Sequence, residues 1–561
     1  MFIRRHSGRF IFVFLLIIGS FLYFLFHLLA IQFFRSDFLS RKAEQQHNHT
    51  VRIEPQRGII YDRNSRPLAL NLTVYSLYLN PRQMSSEAKS RALKDLPPLL
   101  GLKPSFLKER MGRNKYFVWI KRKLEFETMQ AVKELNIPGL GFLKETRRHY
   151  PNNELASHLL GFVGVDNNGL EGLELQFDRY LKGHEGWARI LRDARQRDLL
   201  MDTGFIPAKD GFDLVLTIDE TIQFMAEQVL DEAFKKHHAE SATIILMNPK
   251  TGEILALANR PTYNLNDVFG SDVSSRTNRG IAHTYEPGSV FKIVAASAAL
   301  EEEIFSENDI IFCENGSYKV GNHILHDHHG QGNLTFAGVI EQSSNIGTTK
   351  IAQRMGAETF YQYAKRFRFG ELTGIDLRGE VGGSLKDPSR WSKTTIGAMP
   401  IGHEVAVTPL QMLGAISAIA NDGVYMKPFV VKYIKDNHDE LIKVFEPEAL
   451  DRIMSPSTAR RVSSILTGAV ECGTGKRAQI KGVLVAGKTG TAQKIVNGKY
   501  SHNKYFASFI GFAPADDPVI AGVVMFDEPH PAYYGGTVAA PVFQEVVMNA
   551  LKYLKASEVI F

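Results

Sequence analysis

An uncharged, strongly apolar run occupies residues 10–34, and as a helix rising roughly 1.5 Å per residue it reaches about 37 Å, enough for a bilayer core of about 30 Å. It predicts a membrane span. The run is longer than a signal-peptide core and no Ala-x-Ala site follows it, so an uncleaved anchor is expected. Arg4, Arg5 and Arg9 precede it, which by the positive-inside rule leaves residues 1–9 in the cytoplasm and exports the rest.

Beyond the anchor the pattern changes twice. Residues 35–211 are charge-rich and mixed: a polar stretch at 37–49 reads as a helical stalk, and short strands alternate with helices such as 86–93 and 126–135. Lys209-Asp210-Gly211 reads as the turn into a second half, residues 212–561, which opens with a strand at 214–218 and a helix at 220–236. Apolar runs predict strands at 242–247, 254–258, 483–486, 506–512 and 519–526. Between and after them lie buried helices at 290–300 and 408–419, a largely helical stretch at 333–368, and a closing helix at 541–554. The fold class expected is α/β, with a single N-terminal transmembrane helix, a mixed α/β pedestal, and a domain whose central antiparallel sheet is flanked by helices.

Three short motifs carry the chemistry: Ser289-Val290-Phe291-Lys292, Ser343-Ser344-Asn345 and Lys488-Thr489-Gly490-Thr491. Pro287-Gly288 punctuates the chain before Ser289, and the buried pattern begins there, so the serine falls in a first helical turn. Unpaired N–H groups at that turn favour the negative charge of acyl transfer. Lys292 follows on the same face; burial of its stem lowers its pKa and lets a neutral amine take the serine proton. Together the motifs describe a serine acyl-transferase with a lysine base.

Each motif recurs elsewhere, and context separates the copies. Ser86 and Ser105 stand in charged amphipathic stretches, where a solvated face is the simpler account, and Lys250-Thr251-Gly252 sits in a hairpin turn between two strands. The stretch from Gly482 to Thr489 satisfies the Walker A pattern. A phosphate cradle, however, needs a flexible loop between its glycines and a helix after its lysine; here strands are expected on both sides, placing Lys488 on an edge strand as an electrostatic anchor. The backbone N–H of Thr491 then joins that of Ser289 in an oxyanion hole.

Composition narrows the classes. A formal charge of +6 over 561 residues, without a basic stripe interleaved with aromatics, argues against nucleic acid as a partner. Cys313 and Cys472 make neither a disulfide framework nor a zinc site, and two free buried thiols are expected. The adjacent side chains of His326-Asp327-His328-His329 converge poorly on one ion, so no metal and no other cofactor is expected. Tyr533-Tyr534-Gly535-Gly536 reads as a loop beside the groove.

With these motifs in place the chain resembles a class B penicillin-binding protein, a peptidoglycan D,D-transpeptidase, over nearly everything from Arg52 onward. The likeness includes Arg57-Gly58-Ile59-Ile60-Tyr61-Asp62-Arg63-Asn64, Tyr150-Pro151, Gly169-Leu170-Glu171-Gly172-Leu173-Glu174, Leu216-Thr217-Ile218-Asp219 and Gly473-Thr474-Gly475-Lys476. The resemblance implies that Ser289 is acylated, Lys292 is its base, Ser343 relays a proton and Asn345 meets the substrate amide. It also implies that Lys488, with Thr489, Gly490 and Thr491 on the same strand, holds the terminal carboxylate of a D-Ala-D-Ala stem peptide. β-Lactams would acylate the same serine.

Glu286-Pro287-Gly288-Ser289 and Asn345 are similar to the cell-division branch, implying septal work beside a polytopic peptidoglycan glycosyltransferase and other division proteins, with residues 35–211 as a non-catalytic pedestal or dimerisation-type domain. The alternatives are an elongation-type transpeptidase, a D,D-carboxypeptidase or β-lactamase-like hydrolase, and a non-catalytic β-lactam sensor. The anchor and extra domain weaken the hydrolase reading, and the short tail before the span cannot be a sensor's output module. The expected location is the bacterial cytoplasmic membrane, single-pass, with the catalytic domain outside. One departure from the family is Ser65, where the turn after Asn64 usually carries glycine.

Overall fold

The computed structural model describes residues 7–34, 36, 48–192, 198–200 and 206–558, and the chain divides into two units, Met1–Gln56 with Gly183–Asp210 and Arg57–Lys182 with Gly211–Phe561. In the first, helix α1 (Ser7–Leu29) runs on into a π-helical turn, Ala30–Phe34. The segment Gly8–Phe33 is long and apolar enough to cross a membrane, and its large side chains, Phe10, Phe14 and Leu22 among them, point outward. That exposure fits a single-pass anchor, since lipid replaces the missing protein core. The same unit holds an antiparallel sheet of Asn48–Ile53, Gly186–Arg192 and Asp198–Leu200. Of the stretch read as a helical stalk, residues 37–47 lie outside the described residues, and residues 48–49 open a strand.

The second unit begins with a sheet built from β1 (Ile60–Tyr61), β2 (Pro67–Leu79), β3 (Val118–Leu124) and β4 (Leu140–His149), with helix α2 (Ser86–Leu100) packed on it. Strand β5 (Asp213–Leu216) pairs parallel to β1 and antiparallel to Val431–Lys435, so one sheet draws strands from both ends of the unit. A buried ion cluster explains why several scattered stretches matter to the fold. Arg57 Nε donates to Glu174 Oε2 at 2.6 Å and its Nη1 to Asp178 Oδ1 at 2.7 Å, while Arg148 Nε reaches Glu174 Oε1 at 2.6 Å. Tyr150 Oη adds a contact to Glu174 at 3.3 Å. Glu174 is fully buried, so removing either arginine leaves a desolvated charge and costs about 3–5 kcal/mol.

Helix α3 (Glu220–Lys236) starts at Asp219, whose carboxylate accepts the N–H groups of Thr221 and Ile222 and also the Asn64 amide at 3.0 Å. It covers one face of a five-stranded antiparallel sheet. In spatial order the strands are β7 (Ile254–Arg260), β6 (Ser241–Met247), β10 (Ile520–Asp527), β9 (Lys499–Ala513) and β8 (Ala486–Val496). Strand alternation sets the layers: Ile245 and Met247 of β6 face one core, while Ala242, Ile244 and Leu246 face the other. The first core packs helix α4 (Lys292–Glu301) and helix α6 (Pro409–Ala420); the second packs α3 and the closing helix α8 (Gly535–Glu558). All of α6 is buried, and each of Leu410, Leu413 and Ile416 contributes about 1.5–3 kcal/mol by leaving water. Helices α5 (Asn345–Met355) and α7 (Pro456–Glu471) complete the first layer.

Several local expectations shift. The strand read at 483–486 begins only at Ala486, because Ile480 and Val483 bridge across a tight turn in which Gly482 takes φ +81°. Helix α2 continues seven residues past 93 to Leu100 before Gly101 caps it. Helix α8 starts at Gly535 and contains Pro541 instead of opening on it. Cys313 is buried as expected, but Cys472 is exposed, because it caps the solvent end of α7. Ser65 does adopt the left-handed conformation, φ +64°, where the family glycine would stand; Asp62 Oδ1 holds the turn by accepting the N–H groups of Asn64 and Arg66.

Candidate active site

Ser289 lies in a 3₁₀ turn, Gly288–Phe291, that leads directly into α4. The turn abuts β8 so closely that a side-chain carbon on Gly490 would stand 3.0 Å from Pro287 O and 3.0 Å from Val290 Cγ1. Behind it the segment 402–404 acts as a clamp. Gly288 N–H donates to Gly402 O at 3.2 Å, and Glu286 takes the Glu404 N–H at 2.9 Å, pairs with His403 Nδ1 at 2.8 Å and accepts from Tyr500 Oη at 3.2 Å. The serine is thereby presented by a braced loop whose orientation is fixed by groups over a hundred residues away.

Lys292 is the first residue of α4 and is completely buried. Its Nζ lies 2.6 Å from Ser343 O, 3.2 Å from Ser343 Oγ and 2.8 Å from Asn345 Oδ1. Two of these partners can only accept, whereas the hydroxyl can also donate. A neutral amine, with two N–H groups and one lone pair, satisfies all three. Burial holds the Lys292 pKa well below the ordinary lysine value, and the neighbouring Lys488 depresses it further against the opposing pull of Asp327.

Ser343 stands between two lysines. Lys488 Nζ donates to its Oγ at 2.9 Å, and burial lowers the Lys488 pKa to about 7. Ser343 itself is held at φ +61°, a strained conformation for a residue with a side chain, which turns both its carbonyl and its hydroxyl toward Lys292. Asn345 heads α5; its Oδ1 faces Lys292 and its Nδ2 donates to His326 O at 3.0 Å, so its amide bridges Lys292 and the end of the strand His323–His326. Thr489 and Thr491 follow along β8, where Thr489 Oγ1 lies 2.7 Å from Thr474 Oγ1 and Thr491 Oγ1 accepts the Gly535 N–H at 3.0 Å. Gly490 lies between them, against the turn that carries Ser289.

The residues singled out in the sequence thus converge. Ser289, Ser343, Asn345, Thr489 and Thr491 line one groove of 590 Å³, with Lys292 and Lys488 buried behind it. A cleft of 610 Å³ at Asn152, Glu220 and Phe224 and another of 860 Å³ at Gln479, Lys481 and Val485 are larger but are lined by no serine or cysteine, so the candidate chemistry belongs to the groove. Tyr505, Tyr533 and Tyr534 stack along one wall, where Tyr534 meets His328 at 5.0 Å between ring centres.

Sequence reasoning missed Asp327, set aside there as part of a poor metal cluster. Its carboxylate accepts Ser344 Oγ at 2.6 Å and the N–H groups of Asn345 at 2.5 Å and Ile346 at 3.0 Å, capping α5 and fixing the second motif. The clamp at Glu286, His403 and Glu404 was missed as well. Neither leaves a motif-length signal: Asp327 meets residues 17 to 19 positions on, and Glu286 meets residues 117 and 118 positions on.

Two family models match this arrangement: Penicillin binding protein transpeptidase domain over residues 242–548, and Penicillin-binding Protein dimerisation domain over residues 52–216. The chain belongs to the penicillin-binding protein transpeptidase family. It is 35% identical over 533 residues to Stage V sporulation protein D of Bacillus subtilis (strain 168), covering 93% of this chain and 82% of that protein. It is 32% identical over 530 residues to the Peptidoglycan D,D-transpeptidase FtsI of Escherichia coli (strain K12), covering 93% and 88%. Among solved structures, Penicillin binding protein 3 from Mycobacterium tuberculosis complexed with ampicillin superposes with a TM-score of 0.71 at 28% identity, over 90% of this chain and 96% of that one. The resemblance drawn from the motifs is borne out at the level of family and fold.

Proposed function

We propose that Ser289 is the nucleophile of a peptidoglycan D,D-transpeptidase that acts at the division septum. The enzyme acts on stem peptides and binds β-lactams, as its family does. The observation that carries the assignment is the placement of Ser343 Oγ between two buried lysines, Lys292 at 3.2 Å and Lys488 at 2.9 Å, behind a braced serine. Ser289 Oγ attacks the carbonyl of the penultimate D-alanine as neutral Lys292 takes its proton. The proton returns through Lys292 and Ser343 to the departing D-alanine amine, leaving an acyl-enzyme. The N–H groups of Ser289 and Thr491 hold the oxyanion, and Lys488, Thr489 and Thr491 hold the terminal carboxylate. Asn345 Nδ2 donates one N–H to His326 O and offers its second to the substrate amide.

The groove favours transfer over hydrolysis. Asp327 is the one carboxylate among its described lining residues, and both its oxygens are engaged at the start of α5, which leaves no free carboxylate among them to activate a deacylating water. We assign residues 35–211 to a pedestal and 212–561 to the transpeptidase domain, with the tail in the cytoplasm and the body outside the cytoplasmic membrane. The septal role and docking to a polytopic glycosyltransferase among other division proteins rest on the cell-division character of Glu286-Pro287-Gly288-Ser289 and on the likeness to the Escherichia coli protein. Crosslinking of polymerised glycan strands should be lost in Ser289→Ala, and a fluorescent fusion should gather at the septum. Sidewall localisation with loss of rod shape on depletion would instead assign the enzyme to elongation.

A further inference from the structure

Lys476 and Arg477 line the same groove as Ser289 and Thr489, both are exposed, and neither side chain has an ion-pair or hydrogen-bond partner among the described residues. They are nonetheless firmly presented. Ala478 is buried in the second core, Gly475 N–H donates to Ala469 O at 2.9 Å, and Thr474 Oγ1 lies 2.7 Å from Thr489 Oγ1. A side chain on Gly473 would stand 2.2 Å from Glu341 O, so the loop has no room to slide. Two cations on a fixed backbone therefore line the groove together with Thr474 and Thr489.

The groove's charge is one-sided. Asp327, the one carboxylate among its described lining residues, is engaged at the start of α5, and Lys488 lies buried behind the groove, where desolvation lowers its pKa to about 7. Lys476 and Arg477 supply the full positive charges, and water-exposed cations with no internal partner attract an anion at little desolvation cost.

Deacylation identifies which anion. The acyl carbon–oxygen bond to Ser289 breaks, a carbon–nitrogen bond forms, and the amine's proton passes through Lys292 to Ser289 Oγ. This step is the reverse of D-alanine departure with a new amine, so the incoming nitrogen must occupy the place that the leaving nitrogen vacated. The group beside it then falls where the terminal carboxylate lay, at Lys488, Thr489 and Thr491, in the groove that Lys476 and Arg477 also line. Resting on the transpeptidase reading above, we propose that Lys476 and Arg477 form an acceptor subsite selecting an amine flanked by a carboxylate, an α-amino acid centre, over a plain alkyl amine or an amidated one.

The test uses acyl-enzyme formed by the full-length protein from a D-Ala-D-Ala thioester analogue, with hydrolysis in the absence of amine as internal reference. D-Alanine and D-alaninamide are compared as acceptors, with rates expressed per neutral amine. The parent should favour D-alanine at least tenfold, with the ratio shrinking as salt rises. Lys476→Ala/Arg477→Ala should bring the ratio within threefold of unity, and Arg477→Glu should push it below one. Arg477→Gln, a milder change, should fall between, with labelling by fluorescent penicillin as the folding control for every variant. A parent ratio near one, or a ratio untouched by the charge changes, overturns the subsite. Failure of the parent itself to label with penicillin would overturn the transpeptidase reading instead.

Discussion

Replacing Asp327 by asparagine separates two jobs that the structure gives to one carboxylate. Asparagine can keep all three contacts: its Oδ1 can accept the Asn345 and Ile346 N–H groups, and its amide can donate to Ser344 Oγ, which already accepts the Gly347 N–H at 2.9 Å. What is lost is charge. Exchanging charge-assisted hydrogen bonds for neutral ones at the start of α5 should cost about 1–2 kcal/mol, lowering Tm by a few degrees. The second job is electrostatic, because Asp327 opposes the fall in the Lys292 pKa caused by burial and by Lys488. Without it Lys292 sheds its proton at lower pH, so the acid limb of the acylation rate moves to lower pH even as the plateau falls with the loosened motif. The assay is the second-order rate of fluorescent penicillin acylation from pH 5 to 9 alongside thermal unfolding, with Asp327→Ala as comparison. That truncation strands three donors and should destabilise by about 3–5 kcal/mol. A limb that stays in place or moves to higher pH in Asp327→Asn would refute the reading of Lys292 as a neutral base tuned by this carboxylate.

Other consequences are simpler. Gly402 has φ +84° and a side-chain carbon there would stand 2.1 Å from Gly288 O, so Gly402→Ala should displace the nucleophile turn and slow acylation at least tenfold, as stopped-flow labelling would register. Ser65→Gly relieves a left-handed serine and should leave stability unchanged or raise it by up to about 1 kcal/mol in urea unfolding, despite glycine's larger unfolded-state entropy. His158 is buried with Nε2 2.8 Å from Ser275 O, and burial lowers its pKa to about 4. The unfolded chain takes up that proton near pH 6.5, so this histidine should withdraw up to about 3 kcal/mol of stability as pH falls from 6.5 toward 4, an increment absent from His158→Gln in pH-dependent unfolding.

The linear features of this protein were legible because each is local. The uncharged run before residue 35, the helix read at 220–236 and the buried helix behind Ser289 all announce themselves in contiguous stretches. The candidate catalytic residues were picked out the same way, through short spacings whose expected burial and secondary structure set them apart from repeated copies. What escaped was whatever depends on chain crossings. The sheet order β7-β6-β10-β9-β8 brings the last strands beside the first, and nothing within Val483 to Val485 tells that the chain turns there before entering β8. Asp327 was misread for the same reason: beside two histidines it looks like a failed metal site, and only its approach to α5 gives it work. Cys472 was taken as buried because helix ends are less visible in sequence than helix faces.

The most direct measurement is mass spectrometry of the intact protein after brief exposure to a penicillin, followed by peptide mapping. One adduct on the peptide carrying Ser289, rising in rate with pH as Lys292 loses its proton and abolished in Ser289→Ala, is the expected result. An adduct on Ser343 or on any other serine, or one that persists undiminished in Ser289→Ala, would contradict the account.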